Sequence, residues 1–360
     1  MMGEKADGLA SPAMKRQRST ALPTHSTRHP VWILAHDSQT ALAKEIVACC
    51  ESWEATEASS NTRPAEFKSV LHWGKFADGF PNLFIRNVKE MAGKDVIFLA
   101  SFHSVDVIFE QLSMIYEIPR YLAHSCTVIL PYFPTGTMER VDLEGQVATA
   151  KTLTTILSEI PSTARGPVQI VIFDIHALQE RFYFSKTVIP RLETAIPLLI
   201  RALRQTFVKN EALAVAFPDD GAEKRFSKLF PSSWRRIVCT KTRERDRRLI
   251  KLREGDPTGT AVILVDDLVQ TGGTLVEAAK VLKACGAASV SAFVTHAVFP
   301  RESWRKFTNQ SEEEALLTHF WITNSIPHAA EIAKHPPFHL LSLAPIIADC
   351  LLGFDLQQPE

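Results

Sequence analysis

Short apolar runs alternate with longer stretches of helical period along most of the chain. Val31-Trp-Ile-Leu-Ala-His36 opens the pattern, a run of strand length followed by the helix-capping pair Asp37-Ser38 and a helical stretch to Cys50. Nine further runs read as strands, at 67–72, 82–85, 95–100, 126–130, 169–173, 212–217, 236–240, 260–265 and 288–295. Helical patterns fall between most of them, for instance at 104–117, 147–159, 194–207 and 277–285. Strands that alternate with helices build parallel sheets covered on both faces. Ten strands are many for one open sheet, so the expected fold is α/β with two similar halves, each a mostly parallel sheet flanked by helices, meeting near Pro190 to Pro197. No repeat in the sequence is strong enough to prove duplication.

Composition narrows the function. A chain of 360 residues, 46% hydrophobic and 22% charged, is long enough for two ordinary cores. Lys+Arg and Asp+Glu balance at 40 each, which argues against a nucleic-acid surface but leaves room for phosphorylated small molecules, whose recognition needs only a local basic patch. The six cysteines show no C-x-x-C and no regular spacing, the pattern of reduced, buried thiols in an intracellular protein. No apolar run approaches the ~20 residues of a membrane span. Residues 1–29 are rich in Ala, Ser, Thr and basic residues without apolar period and read as a disordered tail; Glu4 and Asp7 speak against a transit peptide, so the cytoplasm is expected.

The densest chemical signal is the stretch from Ala261 to Lys280. Five apolar residues run into Asp266 and Asp267, then a turn Thr271-Gly272-Gly273-Thr274, then a helical pattern closed by Gly286. Glycines there let backbone N–H groups close on an anion, and the threonine hydroxyls and the positive end of the following helix add donors. Paired carboxylates at a strand end suit ribose hydroxyls or magnesium, so the stretch suggests a ribose 5-phosphate site. Neither a P-loop nor a dinucleotide fingerprint is present. The alternative is two acids beside a plain turn.

Four other stretches carry candidate chemistry. In Val171-Ile-Phe-Asp-Ile-His-Ala-Leu-Gln-Glu-Arg-Phe-Tyr-Phe184, Asp174 and His176 lie two apart, on one face of an extended segment, and could bind a divalent metal or a phosphate; a core histidine is the alternative. Asp219, Asp220 and Gly221, followed by Lys224 and Arg225, could cradle a pyrophosphate with its metal, or form a solvated helix start. The run Cys239-Thr-Lys-Thr-Arg-Glu-Arg-Asp-Arg-Arg248 is dense in charge, which usually marks a solvated face, yet the strand before it would deliver Lys241 and Arg243 to the same sheet edge. Phe76, Asp78 and Gly79, with Leu130-Pro-Tyr-Phe-Pro-Thr-Gly-Thr-Met-Glu-Arg140 near them, could stack on a purine and accept from its amine, or be a core Phe in a turn.

Taken together these motifs resemble the ribose-phosphate diphosphokinase (phosphoribosyl pyrophosphate synthetase) family over roughly Val31 to the C-terminus, and in particular its divergent plant-type branch. The turn at 266–274 resembles the family's ribose-phosphate loop, and the string at 174–184 its magnesium-binding signature. The segment from Pro218 resembles the pyrophosphate loop, and Lys241-x-Arg243 the mobile catalytic loop. Phe76, Asp78 and Gly79 match an ATP-binding loop that in the family reaches a neighbouring subunit. Phe80, Thr137, Met138, Ser185 and Gln270 depart from the bacterial and animal pattern; the same replacements occur in the plant-type branch, which is less dependent on phosphate and less particular about its nucleotide.

The resemblance implies two type I phosphoribosyltransferase-like domains, 30–193 and 194–340, the second carrying the ribose 5-phosphate loop, with 341–360 a helix returning to the first. It implies transfer of the diphosphoryl group of Mg-ATP to the C1 hydroxyl of ribose 5-phosphate, releasing AMP and feeding nucleotide biosynthesis. Lys241, Arg243 and His176 would be catalytic. Asp266, Asp267 and Thr271 to Thr274 would hold the sugar phosphate, Asp219, Asp220, Gly221, Lys224 and Arg225 the pyrophosphate, and Phe76, Asp78, Gly79 and Arg140 the ATP. Asp174, His176 and Asp219 would hold Mg2+. A homo-oligomer sharing its adenine site between subunits is expected, with no nucleic-acid or membrane partner. A nucleobase phosphoribosyltransferase and a non-catalytic regulatory relative are the rival readings.

Overall fold

The computed structural model describes residues 30–56, 64–207, 212–244, 247–308 and 315–352; the expected tail over 1–29 lies outside them. The first sheet contains β1 (Val31–Ala35), β2 (Ala65–Phe67), β5 (Asp95–Leu99), β6 (Ser125–Leu130), β7 (Val168–Phe173) and β8 (Val188–Glu193) in the order β2-β1-β5-β6-β7-β8, all parallel. Strands β3 (Leu71–Lys75) and β4 (Pro81–Ile85) form a separate antiparallel hairpin. Helices α1 (Thr40–Thr56), α2 (Val88–Met91), α3 (Val105–Arg120) and α4 (Thr149–Ser158) connect the strands.

After α5 (Ile196–Thr206) comes the second sheet, whose strands are β9 (Leu213–Phe217), β10 (Arg235–Glu244), β11 (Arg247–Glu254), β12 (Ala261–Val269), β13 (Ser289–Ala297), β14 (Phe320–Thr323) and β15 (Phe338–Leu341). Their order is β11-β10-β9-β12-β13-β14-β15, parallel except for the β10–β11 pair. Helices α6 (Asp220–Phe226), α7 (Gly273–Ala284), α8 (Ala329–Ile332) and α9 (Ala344–Leu352) complete it, and α9 packs on α1 of the first half.

Strand alternation sorts the apolar residues into three cores. On β7, Ile170 and Ile172 face outward onto α3 and α4, while Val171 and Phe173 face the second half. On the second sheet Val262, Leu264 and Val294 face outward onto α7, while Val215, Phe217, Ile263, Val265 and Phe293 face the first half. The inward sets share one central cluster with Leu42 and Ile46 of α1, Leu199 and Leu203 of α5, Phe226 of α6 and Ile347 of α9. The two sheets are therefore joined through a common apolar layer.

Several elements depart from the sequence expectation. The run at 67–72 is split between β2 and β3, and β12 continues past Val265 to Val269. Strands β8, β11, β14 and β15 were not anticipated. Three of them are sheet edges. Pro190 is tolerated in β8 because an edge strand can omit a ladder N–H, and β11 carries charge because one of its faces is solvated: Lys251 and Arg253 are exposed while Ile250 and Leu252 pack on the outer core.

Candidate active site

The carboxyl ends of β7, β9, β10 and β12 open onto one cavity of about 950 Å³ between the two halves. Its second-half wall includes Asp219, Lys224, Arg225, Lys241, Asp266, Asp267 and the turn from Thr271 to Thr274; its first-half wall includes Thr137, Glu139, Arg140, His176, Leu178 and Gln179. Ligands of α/β sheets sit in this place because strand ends and helix starts face it.

The floor is the turn into α7. Gly272 adopts φ +78°, where an L side chain is strained, and a Cβ there would meet the Phe307 ring at 2.8 Å. Gly273 begins the 12-residue helix, so its free N–H groups and the helix dipole point at the cavity. The Gln270 carbonyl accepts from the Ser303 hydroxyl at 3.1 Å and ties the turn back to the fold.

Because β12 runs through the two acids instead of stopping before them, Asp266 and Asp267 fall on opposite faces. Asp267 continues the face of Ile263 and Val265 toward the first half, where it is 1% exposed. There its Oδ2 accepts from His176 Nδ1 at 2.7 Å and its Oδ1 from Arg225 Nη2 at 2.6 Å. Burial would raise its pKa, but the hydrogen bonds from His176 and Arg225 overcome this and hold the carboxyl well below the usual range. Asp266 is pushed the other way, first by burial and then by the neighbouring charge of Asp267. The bond to Asp267 raises the pKa of His176 against the opposing effect of burial. Arg225 also donates from Nη1 to the His176 carbonyl at 2.7 Å.

Lys241 Nζ lies 2.6 Å from Asp219 Oδ2, and Asp219 Oδ1 accepts from the Ala222 N–H at 3.0 Å as the cap of α6. Burial opposes ionisation of Asp219, yet the bonds from Lys241 and Ala222 bring its pKa below the ordinary value. Asp220 does not line the cavity; it pairs with Arg253, which also bonds Glu223 at 2.8 Å. Gly221 does line it. Arg243 stands on β10, but its side chain is outside the described residues.

Asp174 corrects the expectation that it shares a face with His176. The residue adopts φ +37°, which breaks strand alternation, and its Oδ2 accepts from the Ala195 N–H at 2.9 Å and from Thr295 Oγ1 at 2.5 Å. The carboxylate thus faces the seam between the halves instead of the cavity, and burial raises its pKa. Among the described residues no three His, Cys, Asp or Glu side chains converge as a metal cage. His176 and Asp219 remain on the cavity wall. Of the two, the Asp219 carboxylate is the oxygen donor that fits a magnesium ion carried on phosphates with part of its water shell, and His176 stands beside it on the wall.

Phe76, Asp78 and Gly79 form the tip of the β3–β4 hairpin, with Phe76 55% exposed and Asp78 Oδ1 accepting from the Phe80 N–H at 3.1 Å. The tip does not line this chain's own cavity; Arg140 does. Sequence reading missed Glu139 and Gln179 on the wall, the buried Glu180 beneath it, and Thr295 and His296 in the seam. None lies in a cluster of like chemistry. Glu139, Gln179 and Glu180 stand inside singled-out stretches, but only the fold turns Glu139 and Gln179 onto the cavity wall and buries Glu180.

Two family models match the chain: the N-terminal domain of ribose phosphate pyrophosphokinase at residues 31–160, and the phosphoribosyl synthetase-associated domain at residues 239–352. Ribose-phosphate pyrophosphokinase 4 of Arabidopsis thaliana is 54% identical over 283 residues, covering 78% of this chain and 83% of its own. Its namesake in Oryza sativa subsp. japonica is 51% identical over 310 residues, covering 84% and 94%. A Spinacia oleracea relative, ribose-phosphate pyrophosphokinase 3, mitochondrial, is 54% identical over 287 residues, covering 78% and 70%. Phosphoribosylpyrophosphate synthetase from Mycobacterium smegmatis has the same fold, with a TM-score of 0.71 at 22% identity, covering 89% of this chain and 97% of that one. On these identities, and with motifs and fold in agreement, the chain belongs to the ribose-phosphate pyrophosphokinase family, in the group formed with its plant members.

Proposed function

We propose that the cavity binds ribose 5-phosphate against the α7 turn and Mg-ATP against His176 and Asp219, and carries the family's synthesis of phosphoribosyl pyrophosphate between them. The carrying observation is that the Gly272 turn, the His176 imidazole and the Asp219 carboxylate line one cavity of about 950 Å³. In this reading the N–H groups at Gly272 to Thr274 and the hydroxyls of Thr271 and Thr274 hold the 5-phosphate, and Asp266 holds the ribose hydroxyls. Lys224 and the Gly221 turn receive the diphosphate, while Arg225, its Nη1 and Nη2 held by the His176 carbonyl and Asp267, backs them instead of gripping it directly. The C1 hydroxyl attacks the β-phosphorus of ATP and AMP leaves.

Such a reaction asks the protein for alignment and positive charge more than for covalent catalysis. Lys241, with Arg243 on the same strand, supplies charge where it builds between the two substrates. Magnesium, when bound with the nucleotide, adds charge neutralisation at the phosphate oxygens. Asp266→Asn tests the sugar site: calorimetry should show ribose 5-phosphate binding roughly tenfold weaker, from loss of a hydrogen bond between the carboxyl and the ribose hydroxyls. Unchanged affinity contradicts the role.

Two finer points belong to the same proposal. The adenine is received by the Phe76–Asp78 hairpin of a second copy in a homo-oligomer. This is supported by the exposure of Phe76, Phe80 and Phe84 and by an apolar groove of about 660 Å³ lined by Phe84, Phe109 and Ile156. Light scattering at the mass of one chain would contradict it. Residence in the cytoplasm is the other point, which a fluorescent fusion decides against the organelles named for some relatives. No helix among the described residues is long and apolar enough to cross a membrane.

A further inference from the structure

We infer that Asp267 is a positioning residue for His176, and that of the two adjacent acids on β12 only Asp266 is left to hold the sugar. This rests on the proposed substrate arrangement and assigns the paired acids separate duties. Both Asp267 oxygens are taken, Oδ2 by His176 at 2.7 Å and Oδ1 by Arg225 at 2.6 Å, in a side chain almost wholly shielded from solvent. Asp266 stands at the cavity with 16% of its side chain exposed, its Oδ1 accepting the Asp267 N–H at 2.9 Å and lying 3.5 Å from Arg225. A diol reaching Asp267 would have to break two charge-assisted bonds first; one reaching Asp266 would not.

The contacts close a circuit. Arg225 Nη2 holds Asp267, Asp267 holds the His176 ring, and Arg225 Nη1 holds the His176 carbonyl at 2.7 Å. His176 belongs to the first half, Arg225 and Asp267 to the second, so residues across the seam fix both the backbone and the ring of His176. An ionised carboxylate only accepts, so Nδ1 carries a proton in either charge state, and whenever the ring is neutral its Nε2 lone pair points away from Asp267. A carboxylate behind an imidazole is the general device that selects a tautomer and sharpens the opposite nitrogen as a ligand or acceptor. The odd face of β12, already committed to the central core through Ile263 and Val265, is what carries Asp267 to this place.

Nitrogen-15 NMR of histidine-labelled full-length protein, with His176→Asn as the assignment control, reads the tautomer directly. The neutral His176 of the wild type is expected as Nδ1–H with Nε2 bare, and Asp267→Asn should abolish that preference. In steady-state assays Asp267→Asn should lower kcat by roughly tenfold to a hundredfold while KM for ribose 5-phosphate stays within about threefold, the size of effect seen for residues that support a ligand. The double variant with His176→Asn should be no slower than His176→Asn alone. A raised KM with kcat retained, or a wild-type ring carrying its proton on Nε2, overturns the inference. The second outcome needs no variant to fold. A wild-type protein that forms no AMP from ATP and ribose 5-phosphate would instead sink the proposed function while leaving the spectrum free to decide the tautomer.

Discussion

Lys241 spans the cavity wall to Asp219 with 43% of its side chain exposed, and in the proposed reaction it would exchange this carboxylate for a phosphate oxygen. Replacing one donor that stabilises a transition state costs roughly a hundredfold in turnover, so Lys241→Ala should lower kcat by about that factor and spare ribose 5-phosphate binding. Full turnover in that variant would remove Lys241 from the chemistry. Glu180 makes a different prediction. It is fully buried, its Oε1 accepting the Ala177 N–H at 3.2 Å and its Oε2 without a partner among the described residues. Burial lifts its pKa from 4.5 to about 8. Between those values the folded chain keeps a proton that the unfolded chain has lost, so this group's contribution to stability is whole below about 4.5 and is lost as pH rises through about 8. Glu180→Gln removes that loss. Its melting temperature should exceed the wild type's above pH 8, by an amount corresponding to a few kcal/mol, and the gain should vanish toward pH 4.5. A constant offset across pH would contradict the assignment.

At the scale of elements, the start of α7 depends on a backbone that only glycine adopts without strain, with Phe307 against it. Gly272→Ala should destabilise the protein by about 1–3 kcal/mol and weaken ribose 5-phosphate together, measured by thermal melts and calorimetry. A variant that melts and binds like the wild type would show that the turn tolerates a Cβ. This element was legible in sequence because an apolar run, two acids and a glycine pair are each local signals. The strands β8, β11, β14 and β15 were not, since edge strands carry charge or proline and short ones carry little period. The end of β7 was misread for a related reason. A periodicity of two places Asp174 beside His176 only while the chain stays extended, and the turn to φ +37° at Asp174 cannot be seen in residue types.

For the whole molecule, the seam between halves matters more than either sheet. Besides the central apolar layer, Thr295 bonds Asp174, and His296, whose pKa is lowered by burial, lies 3.2 Å from the Phe173 carbonyl through Nε2 and 3.0 Å from Ser325 Oγ through Nδ1. A layer shared in this way makes unfolding of one half expose the core of the other. Calorimetry should therefore give one cooperative transition, and two resolved transitions would contradict the shared core. The resemblance implied that the halves meet, through a metal site shared by Asp174, His176 and Asp219, but Thr295 and His296 were not singled out because they are ordinary strand residues until the second sheet meets the first. The same meeting puts the Gly272 turn, His176 and Asp219 on one cavity, the arrangement on which the proposed reaction depends. Phosphorus NMR of the protein incubated with ATP, magnesium and ribose 5-phosphate should show AMP and phosphoribosyl pyrophosphate rising together; formation of ADP, or no turnover at all, would contradict it.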